Sequence, residues 1–346
     1  MKTLIIIPAF FLVYSRAKCY TINVNNKHKG KGFMQYYLGI DIGGMTVKGI
    51  LTDKSGKVYA SGSVATDSDK GGQAMCANIV SLITEMIADG KADKSDIVGV
   101  GVGCPGLIDS SNGVVVFAGN LNLKNFPLAK EISEKTGFKV KLTNDANAAA
   151  LGEAVFGAGN NYKNSILVTL GTGVGGGIVI DGKLFEGGKS AGTEIGHTVI
   201  VENGLKCTCG RKGCFERYAS ASALMEQTRE AMEGNRNSEM WKSYDLTTVS
   251  GKTPFEYYDS DLTAKLVVDK YISHLACGIL NMINIFRPEV VMLGGGVSEQ
   301  GENLTKPLRK IIDAEIFAGS DYAPVKIVKA ALGSRAGAFG AAALIM

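Results

Sequence analysis

Two glycine-rich hairpin patterns in one chain constrain the fold of this sequence more than any other feature. Residues 37–53 are typical of a strand, a turn that begins with Gly43 and Gly44, and a returning strand. Residues 165–183 repeat this order, with a turn around Gly171 and Gly173 about 130 residues further along. A repeated unit of this kind predicts two similar α/β lobes that face each other across a cleft.

The hairpin tips are also candidate phosphate sites. Paired glycines allow backbone amides to approach a phosphate group closely. In the first hairpin, Asp41 can hold a magnesium ion through water, and Lys48 can face phosphate oxygens. A single hairpin could equally be an ordinary turn, but its repetition favours a nucleotide held between the two lobes.

A group of polar residues follows a predicted strand between the two hairpins. The strand at residues 139–142 leads into Asn144, Asp145 and Asn147, where a helix begins. Folds of the α/β class place their ligands at such strand ends. Asp145 could instead be a simple helix cap. A cap leaves Asn144 and Asn147 without a role, so the pattern favours a ligand site.

One histidine and three cysteines stand close together further along, at spacings of ten, two and five residues. Thiolates and an imidazole in this density suit a closed, four-coordinate structural zinc site. Scattered reduced cysteines are the alternative. The candidate ligands are His197, Cys207, Cys209 and Cys214. A folded zinc loop would hold the flanking carboxylates Glu194 and Glu216 rigidly, as a ligand site requires.

The remaining pattern alternates strands and helices. Strands are predicted at residues 98–103, 114–117, 289–293 and 325–330. Helices are predicted at residues 72–89, 127–136, 218–233, 261–286, 307–317 and 336–345. The apolar spacing of helix 261–286 predicts a core face made of Leu266, Val267, Ile272, Leu275, Ile279, Leu280, Ile283 and Ile285. A third glycine turn, Gly294, Gly295 and Gly296, follows strand 289–293.

Composition narrows the class of protein. With 346 residues and 45% hydrophobic content, the chain can bury a large core and form two lobes. Six basic residues and no acid lie in residues 1–40, and subtracting these six from the net +4 leaves −2 for the rest. No basic surface for nucleic acid is indicated. The four cysteines outside the cluster are isolated, which predicts a reducing cytoplasm rather than a disulfide framework.

The first 33 residues differ from the rest of the chain. An apolar run at residues 4–14 is interrupted by Pro8 and is too short to span a membrane. A signal peptide remains an alternative, although no convincing cleavage site follows. Our interpretation is that Met34 begins the functional chain and that residues 1–33 are an extension outside the fold.

Several motifs together carry a family resemblance. They are Asp41-Ile42-Gly43-Gly44, Asn144-Asp145, Leu170-Gly171-Thr172-Gly173, Glu194-Ile195-Gly196-His197, and the Cys-x-Cys-Gly-x-x-Gly-Cys-x-Glu run that ends at Glu216. In this order, from about residue 36 to the end, the chain resembles the sugar kinases of the ROK (repressor, open reading frame, kinase) family, bacterial glucokinases especially. Met45 is a departure, since many members have threonine directly after the glycine pair.

The resemblance implies an actin-like ATPase (ribonuclease H-like) fold, an α/β fold of two lobes with a central cleft, and usually a homodimer. It implies one lobe at residues 34–152, with helix 334–346 packing back onto it, and a second lobe with the zinc loop at residues 153–333. It also implies ATP and magnesium as cofactors beside the structural zinc, and a small hexose as substrate. From the charge balance and the short apolar run, we expect no nucleic acid or membrane partner.

Residue roles also follow from the resemblance. Asp145 is the expected general base. The expected sugar-binding residues are Gly106, Asn120, Asn144, Glu194, His197 and Glu216, and His197 would use one ring nitrogen for zinc and the other for the sugar. The expected nucleotide-binding residues are Asp41, Gly43, Gly44, Met45, Thr46, Lys48, Gly171, Thr172, Gly173, Gly294, Gly295 and Gly296.

The expected function is an ATP-dependent hexose kinase that phosphorylates the 6-hydroxyl of glucose. N-acetylmannosamine, allose and fructose remain alternative substrates. A sugar-responsive transcriptional repressor is a further alternative within the family. Such repressors carry an N-terminal helix-turn-helix module of roughly sixty residues or more, whereas about 35 residues precede the first predicted strand here, without a helix pair.

Overall fold

A computed structural model of the protein describes residues 34–346, of which Gln35–Met346 forms one compact unit. The expectations for residues 1–33 lie outside the described residues. The strands are β1 (Tyr36–Ile42), β2 (Thr46–Thr52), β3 (Val58–Ala65), β4 (Ile97–Cys104), β5 (Leu107–Asp109), β6 (Val114–Ala118), β7 (Leu123–Phe126), β8 (Val140–Asn144), β9 (Ser165–Leu170), β10 (Val174–Ile180), β11 (Lys183–Phe185), β12 (Val290–Gly294) and β13 (Lys326–Lys329). The helices are α1 (Gly72–Asp89), α2 (Leu128–Thr136), α3 (Asp145–Phe156), α4 (Glu216–Ala219), α5 (Ala221–Gly234), α6 (Thr253–Glu256), α7 (Leu262–Phe286), α8 (Glu302–Glu315) and α9 (Ala336–Ala343).

Two five-stranded sheets share one topology. The first has the order β3-β2-β1-β4-β8, and the second has the order β11-β10-β9-β12-β13. In each sheet, three consecutive antiparallel strands are followed by two strands parallel to the first of the three. This duplication confirms the mixed α/β architecture that the repeated glycine hairpins predicted. The division into lobes at residue 152 remains a prediction.

A third, small sheet was only partly predicted. It has the order β5-β6-β7, and the sequence pattern indicated β6 alone. β5 is three residues long and follows Gly106, whose φ of 103° turns the chain sharply after β4. β7 follows the left-handed Asn122, with φ of 53°. Strands this short carry too few residues to show an alternating pattern.

Each large sheet has its own hydrophobic core. Residues of β1, β4, α1 and α2 pack together on the first sheet, and residues of β9, β12, α7 and α8 pack together on the second. α7 lies within one residue of its predicted bounds, but two of its predicted core residues are wrong. Leu266 is 61% exposed and Ile285 is 68% exposed, whereas Val267 and Leu275 are buried as predicted. The buried face also includes Tyr271, which was not predicted.

In the part of the chain that the structure describes, α7 is also the one helix long and apolar enough to cross a membrane. Most of its apolar stretch is buried inside the protein. The composition of α7 is therefore explained by its place in the second core.

Two helix boundaries differ from the predictions. The helix predicted at residues 218–233 is two helices, α4 and α5, because Ser220 is extended and its side chain caps α5 by accepting from the Ala223 amide at 3.0 Å. The helix predicted to begin at Pro307 begins at Glu302. Proline is disfavoured inside helices, yet Pro307 lies inside α8, with Leu304 and Leu308 on either side of it fully buried.

The last helix, α9, packs closely on α3 and on the first sheet. A Cβ atom at Gly340 would overlap the Ala148 carbonyl oxygen of α3, and one at Gly101 of β4 would overlap the Ala341 carbonyl oxygen of α9. The backbones of these elements are therefore in direct contact. This packing fixes α3, the helix that begins with Asp145, against the sheet that carries Asp41.

Candidate active site

Asp41 and Asp145 lie side by side at one edge of the first sheet. β1, β4 and β8 are parallel, with Asp41 paired to Gly103 and Gly103 paired to Thr143. A Cβ atom at Gly103 would lie 3.7 Å from the Asp145 Cα and 3.8 Å from the Asp41 Oδ1. Because Gly103 has no side chain, the two carboxylates can flank it at the strand ends.

Asn144, and not Asp145, caps α3. The Asn144 Oδ1 accepts from the amides of Ala146 at 2.9 Å and Asn147 at 3.3 Å, and its Nδ2 donates to the Gly106 carbonyl at 3.1 Å. Asp145 is the first residue of the helix, and its Oδ1 accepts from the Ala146 amide at 2.9 Å. The capping role considered for Asp145 therefore belongs chiefly to its neighbour.

Both carboxyl groups have raised pKa values. Burial raises the pKa of Asp145. Burial, and to a lesser extent the charge of Asp145, raises the pKa of Asp41 to about 6, although Lys48 opposes this shift. A carboxylate with a raised pKa is a better proton acceptor near neutral pH. The pair thus has the electrostatic character of a catalytic centre.

A pocket of about 140 Å³ lies over Asp145. The structure brings four predicted site residues into its lining: Gly106, Asn144, Asp145 and Glu194. The other lining residues are Leu107, Ala146, Asn147, Val174, Gly175, Gly176, Ser190, Gly192, Thr193 and Ile195. Residues from both large sheets and their loops therefore enclose one small polar space, which we name the Asp145 pocket.

Three predicted sugar-binding residues lie outside the lining of the Asp145 pocket. Asn120 is exposed, with its Nδ2 3.9 Å from the position of a Cβ atom at Gly44. Glu216 abuts the second glycine turn, since a Cβ atom at Gly173 would overlap the Glu216 Oε2. The Glu216 Oε1 is 3.9 Å from the His197 Nδ1. Asn120 is thus near the first hairpin tip, and Glu216 and His197 are near the second.

The predicted zinc ligands are gathered in one place. The ligand atoms of His197, Cys207, Cys209 and Cys214 all lie within 4.8 Å of one another. The Cys207 Sγ is 3.6 Å from the His197 Nδ1, and the Cys209 Sγ is 3.6 Å from the Cys214 Sγ. Two thiolates bound to one zinc at about 2.3 Å and a tetrahedral angle lie about 3.7 Å apart. The donor set and its spacing therefore fit a zinc ion.

The loop that carries these cysteines is held by its own backbone. The Cys207 amide donates to the Arg211 carbonyl at 2.8 Å, the Gly210 amide donates to the Cys207 carbonyl at 3.1 Å, and Cys214 is paired with Val199. These contacts fold the chain back so that the cysteines meet His197.

The glycine turns of the two hairpins are well defined. In the first, the Gly43 amide donates to the Thr46 carbonyl at 3.0 Å, and Met45 is 87% exposed at the tip. In the second, the Gly171 amide donates to the Gly173 carbonyl at 3.1 Å. Thr46, Lys48 and Thr172 are exposed, so their side chains are accessible to a ligand.

Sequence reasoning missed Thr66, which holds the first tip. Thr66 is fully buried, its hydroxyl donates to the Gly43 carbonyl at 2.7 Å, and its amide donates to the Met45 carbonyl at 3.0 Å. Its partners lie more than twenty residues away, and no local pattern marks it.

A second pocket, of about 330 Å³, adjoins the third glycine turn. Its lining includes Gly294, Gly295 and Gly296 together with Leu167, Thr169, Ser298, Glu299, Ala330, Gly333, Ser334, Ala336, Ala149 and Glu153. Gly295 has φ of 82°, and a Cβ atom there would lie 2.5 Å from the Leu170 carbonyl oxygen at the end of β9. The turn therefore lies against the second hairpin.

Sequence reasoning also missed Glu153, which is fully buried beside this second pocket. Its carboxylate accepts from the amides of Ala158 at 2.9 Å, Ala331 at 3.0 Å and Leu332 at 2.7 Å. These contacts join α3 to the segment that leads into α9. A glutamate inside the apolar run of residues 148–156 was the available signal, because a buried carboxylate needs such partners.

The two sheets of one topology have the actin-like ATPase (ribonuclease H-like) fold, as the family resemblance implied. The family model described as "ROK family" matches residues 37–346, and the chain belongs to this family. Among curated proteins, the chain is 37% identical to a glucokinase of Halalkalibacterium halodurans, over 90% of this chain and 95% of that protein. It is 37% identical to a glucokinase of Thermotoga maritima, over 89% and 96%.

Other relatives show the breadth of the family. The chain is 30% identical to the xylose repressor of Bacillus subtilis, over 90% of this chain and 77% of that protein. Among solved structures, a ROK family glucokinase from Streptomyces griseus, in complex with glucose and AMPPNP, has a TM-score of 0.73 and 31% identity, over 89% of this chain and 98% of that one. A ROK hexokinase from Thermus thermophilus has a TM-score of 0.72 and 28% identity, over 89% and 97%.

Proposed function

We propose that this protein is an ATP-dependent hexose kinase of the glucokinase type, which transfers the γ-phosphoryl group of ATP to the 6-hydroxyl of glucose. Glucokinases among its relatives support this function. One observation carries it: a partly buried aspartate with a raised pKa, Asp145, shares a small polar pocket with Gly106, Asn144 and Glu194. That is the arrangement needed to bind a hydroxyl-bearing substrate and remove its proton.

Asp145 is the general base in the proposed mechanism. Its carboxylate accepts the proton of the sugar hydroxyl while the hydroxyl oxygen forms a bond to the γ-phosphorus. The bond from that phosphorus to the β-phosphate oxygen breaks, and ADP leaves. Phosphoryl transfer depends almost entirely on positioning and on electrostatic stabilisation. The rigid contacts between α3 and α9 support such positioning of Asp145.

The sugar-binding set comprises Gly106, Asn120, Asn144, Glu194, His197 and Glu216. Carboxylates and amides suit a polyol because each sugar hydroxyl both donates and accepts hydrogen bonds. The lining of the Asp145 pocket by Gly106, Asn144 and Glu194 supports three of these assignments. Asn120, His197 and Glu216 would reach a sugar from the sides that face the glycine turns.

The nucleotide-binding set comprises the residues of three glycine turns. Gly43, Gly44, Met45, Thr46, Gly171, Thr172 and Gly173 would form the phosphate-binding turns, in which the amides of Gly43 and Gly171 hold the turns themselves and other amides donate to the phosphates. Gly294, Gly295 and Gly296 would lie against the adenosine. The exposed Lys48 would face phosphate oxygens, and Asp41 would hold a magnesium ion through water. When bound, that ion neutralises charge on the phosphates. The volume of the second pocket supports an adenosine site there.

His197, Cys207, Cys209 and Cys214 would hold one structural zinc ion, which braces the loop and takes no part in phosphoryl transfer. The 3.6 Å separation of the His197 Nδ1 from the Cys207 Sγ supports this assignment. With Nδ1 on zinc, the Nε2 atom of His197 remains for a sugar hydroxyl. The same loop would fix Glu216 beside the second glycine turn.

The proposal includes a cytoplasmic homodimer with no nucleic-acid or membrane partner. It also includes the lobe division at residues 34–152 and 153–333, with residues 334–346 packing back. N-acetylmannosamine, allose and fructose remain alternative substrates. A sugar-responsive repressor is the second candidate function, because xylose repressors are among the relatives of the chain.

A coupled phosphorylation assay across a panel of hexoses tests the proposed function. The protein starting at Met34 is assayed with ATP and magnesium, and sugar binding is measured in parallel by calorimetry. We expect glucose to give the highest kcat/KM. A higher value for another hexose would replace glucose as the substrate, and sugar binding without phosphorylation of any hexose would favour the repressor.

A further inference from the structure

The loop of residues 186–194, which we name the 186–194 loop, forms one wall of the Asp145 pocket. It follows β11, and its members Ser190, Gly192, Thr193 and Glu194 line the pocket. The loop closes on itself at its neck, where the Gly192 amide donates to the Glu186 carbonyl at 2.8 Å. The wall of the pocket is therefore a compact loop and not an extended strand.

The conformation of this loop requires external support. Three of its non-glycine residues, Lys189, Ser190 and Thr193, have left-handed φ values of 53°, 56° and 64°. Left-handed backbone costs free energy for residues with a side chain and persists where surrounding contacts hold it. Contacts outside the loop must therefore keep it in place.

Glu186 supplies the principal contact at the start of the loop. Its Oε1 accepts from the Ser110 hydroxyl at 2.7 Å and from the Thr143 hydroxyl at 2.5 Å. Ser110 directly follows β5, and Thr143 is a fully buried residue of β8, two positions before Asp145. One carboxylate from the second half of the chain thus accepts hydrogen bonds from the end of β5 and from β8, the strand that leads to the proposed base.

A second contact anchors the end of the loop. The Thr193 hydroxyl lies 3.0 Å from the Asn147 Oδ1 and 2.7 Å from the Gly192 carbonyl oxygen, and it can donate its one proton to either. Asn147 is a buried residue in the first turn of α3. Glu194 is the next residue after this anchor. The loop is therefore fastened at both ends to the segment that carries Asp145.

We propose that Glu186 is a positioning residue that locks the 186–194 loop against the ends of β5 and β8, and thereby sets the geometry between Glu194 and Asp145 across the sugar pocket. Glu186 is not in the lining of the pocket, so it acts through the loop and Thr143. Hydrogen bonds to a carboxylate are shorter and stronger than those between neutral groups. The inference rests on the proposed kinase function.

The test uses the full-length protein, four single variants, and the double variant that combines Glu186→Ala with Thr143→Val. Glu186→Ala removes both hydrogen bonds, Glu186→Gln keeps one accepting oxygen without the charge, and Thr143→Val removes one donor. Glu289→Gln is the matched control, because Glu289 also accepts two hydrogen bonds, from the amides of Lys163 at 2.8 Å and Asn164 at 2.9 Å, and lines neither pocket. Each variant is measured for kcat and KM with glucose, for Tm, and for amide hydrogen exchange.

We expect Glu186→Ala to lower kcat/KM for glucose by about tenfold to a hundredfold, the range for the loss of hydrogen bonds to a charged group. We expect faster hydrogen exchange in residues 187–194 and smaller effects in Glu186→Gln. Adding Thr143→Val to Glu186→Ala should cause little further loss, because the shared contact is already gone. A loss of kcat/KM in Glu186→Ala no larger than that in Glu289→Gln, or unchanged exchange in residues 187–194, would overturn the proposal.

Failure of the kinase function is read separately, from the wild-type protein. If the wild type phosphorylates no hexose, the proposed function fails. Hydrogen exchange in Glu186→Ala still decides whether Glu186 holds the loop, since exchange is measured without substrate. Unchanged exchange in the 186–194 loop then rejects the role of Glu186, and faster exchange supports its positioning role.

Discussion

The ionised carboxylate of Asp41 serves the proposed function but lowers the stability of the folded protein at neutral pH. Burial and the neighbouring Asp145 raise its pKa to about 6 in the folded protein, against an ordinary value of 3.8. The folded state therefore binds this proton more tightly than the unfolded state. The stability that the group contributes is present below about pH 4 and is lost as the pH rises through about 6. A carboxylate whose ionised form is destabilised in this way is typical of a site that binds a cation.

We therefore expect Asp41→Asn to raise the free energy of unfolding at pH 7 to 8, by at most about 3 kcal/mol, because a pKa unit corresponds to about 1.4 kcal/mol. The gain should vanish near pH 4, and the variant should lose phosphorylation activity. Denaturant unfolding from pH 4 to 8, without nucleotide or magnesium, measures the effect. A variant that is less stable than the wild type at pH 8 would refute the sign of this prediction.

The sequence predicted the candidate site best where the chemistry is local. Asn144 and Asp145 stand together at one strand end, and the cysteines stand within eight residues of one another. Residues whose partners are remote could not be predicted in this way. Glu186 binds Thr143 at a separation of 43 residues, and Glu153 binds Leu332 at a separation of 179. Only the folded chain brings such pairs together.

At the scale of elements, the contact between α3 and α9 depends on the absence of side chains. A Cβ atom at Gly340 would overlap the Ala148 carbonyl oxygen, which belongs to backbone and cannot rotate away. Gly152 makes a similar approach to the Ala336 carbonyl oxygen. The position of α3, and of Asp145 at its start, therefore depends on these glycines.

Gly340→Ala should lower the free energy of unfolding by about 1 to 3 kcal/mol, the usual cost of overpacking, and should also lower kcat because α3 must move. Gly234→Ala is the matched control, since a Cβ atom at Gly234, the last residue of α5, meets nothing within 4 Å. Urea unfolding and glucose kinetics measure both variants. If Gly340→Ala and Gly234→Ala have equal free energies of unfolding, then α3 and α9 can move apart without loss of stability, which would contradict this prediction.

The cysteine-bearing loop is a second element, and its backbone hydrogen bonds join it mainly to itself. Its ligand atoms are close enough for one ion, and its hydrogen bonds are mostly within the loop. A metal would therefore supply much of the free energy that holds the loop.

We expect about one zinc ion per chain in the purified protein and a large loss of zinc in Cys209→Ser. Cys277→Ser is the control, because Cys277 is an exposed cysteine outside the cluster. Elemental analysis of both variants gives the zinc content directly. Undiminished zinc in Cys209→Ser would reject Cys209 as a ligand.

Helices and strands with a long apolar periodicity were predicted correctly. Elements that form only through tertiary contacts were not. β1, β2, α1 and α7 were predicted within about one residue, because each has a sustained apolar pattern. β5 and β7 are too short for such a pattern, and they form only because they pair with β6. The start of α8 was misplaced because proline usually marks a first turn.

At the scale of the whole molecule, two sheets of the same topology each contribute a glycine hairpin, and α9 returns from the end of the chain to pack on the first sheet. The Asp145 pocket is enclosed by residues of β8, α3, β10 and the 186–194 loop. Its location between elements of both sheets is what the duplicated hairpins predicted. The order of the motifs along the chain was therefore enough to predict most of the fold.

The central claim is that Asp145 removes the proton of a sugar hydroxyl bound in this enclosed pocket. The most direct measurement compares Asp145→Asn with the wild type in glucose phosphorylation and in glucose binding by calorimetry. A general base contributes about 10² to 10⁴ in rate, so we predict a loss of turnover of at least a hundredfold, with the Kd for glucose changed only a few-fold. Wild-type turnover in Asp145→Asn would contradict the account.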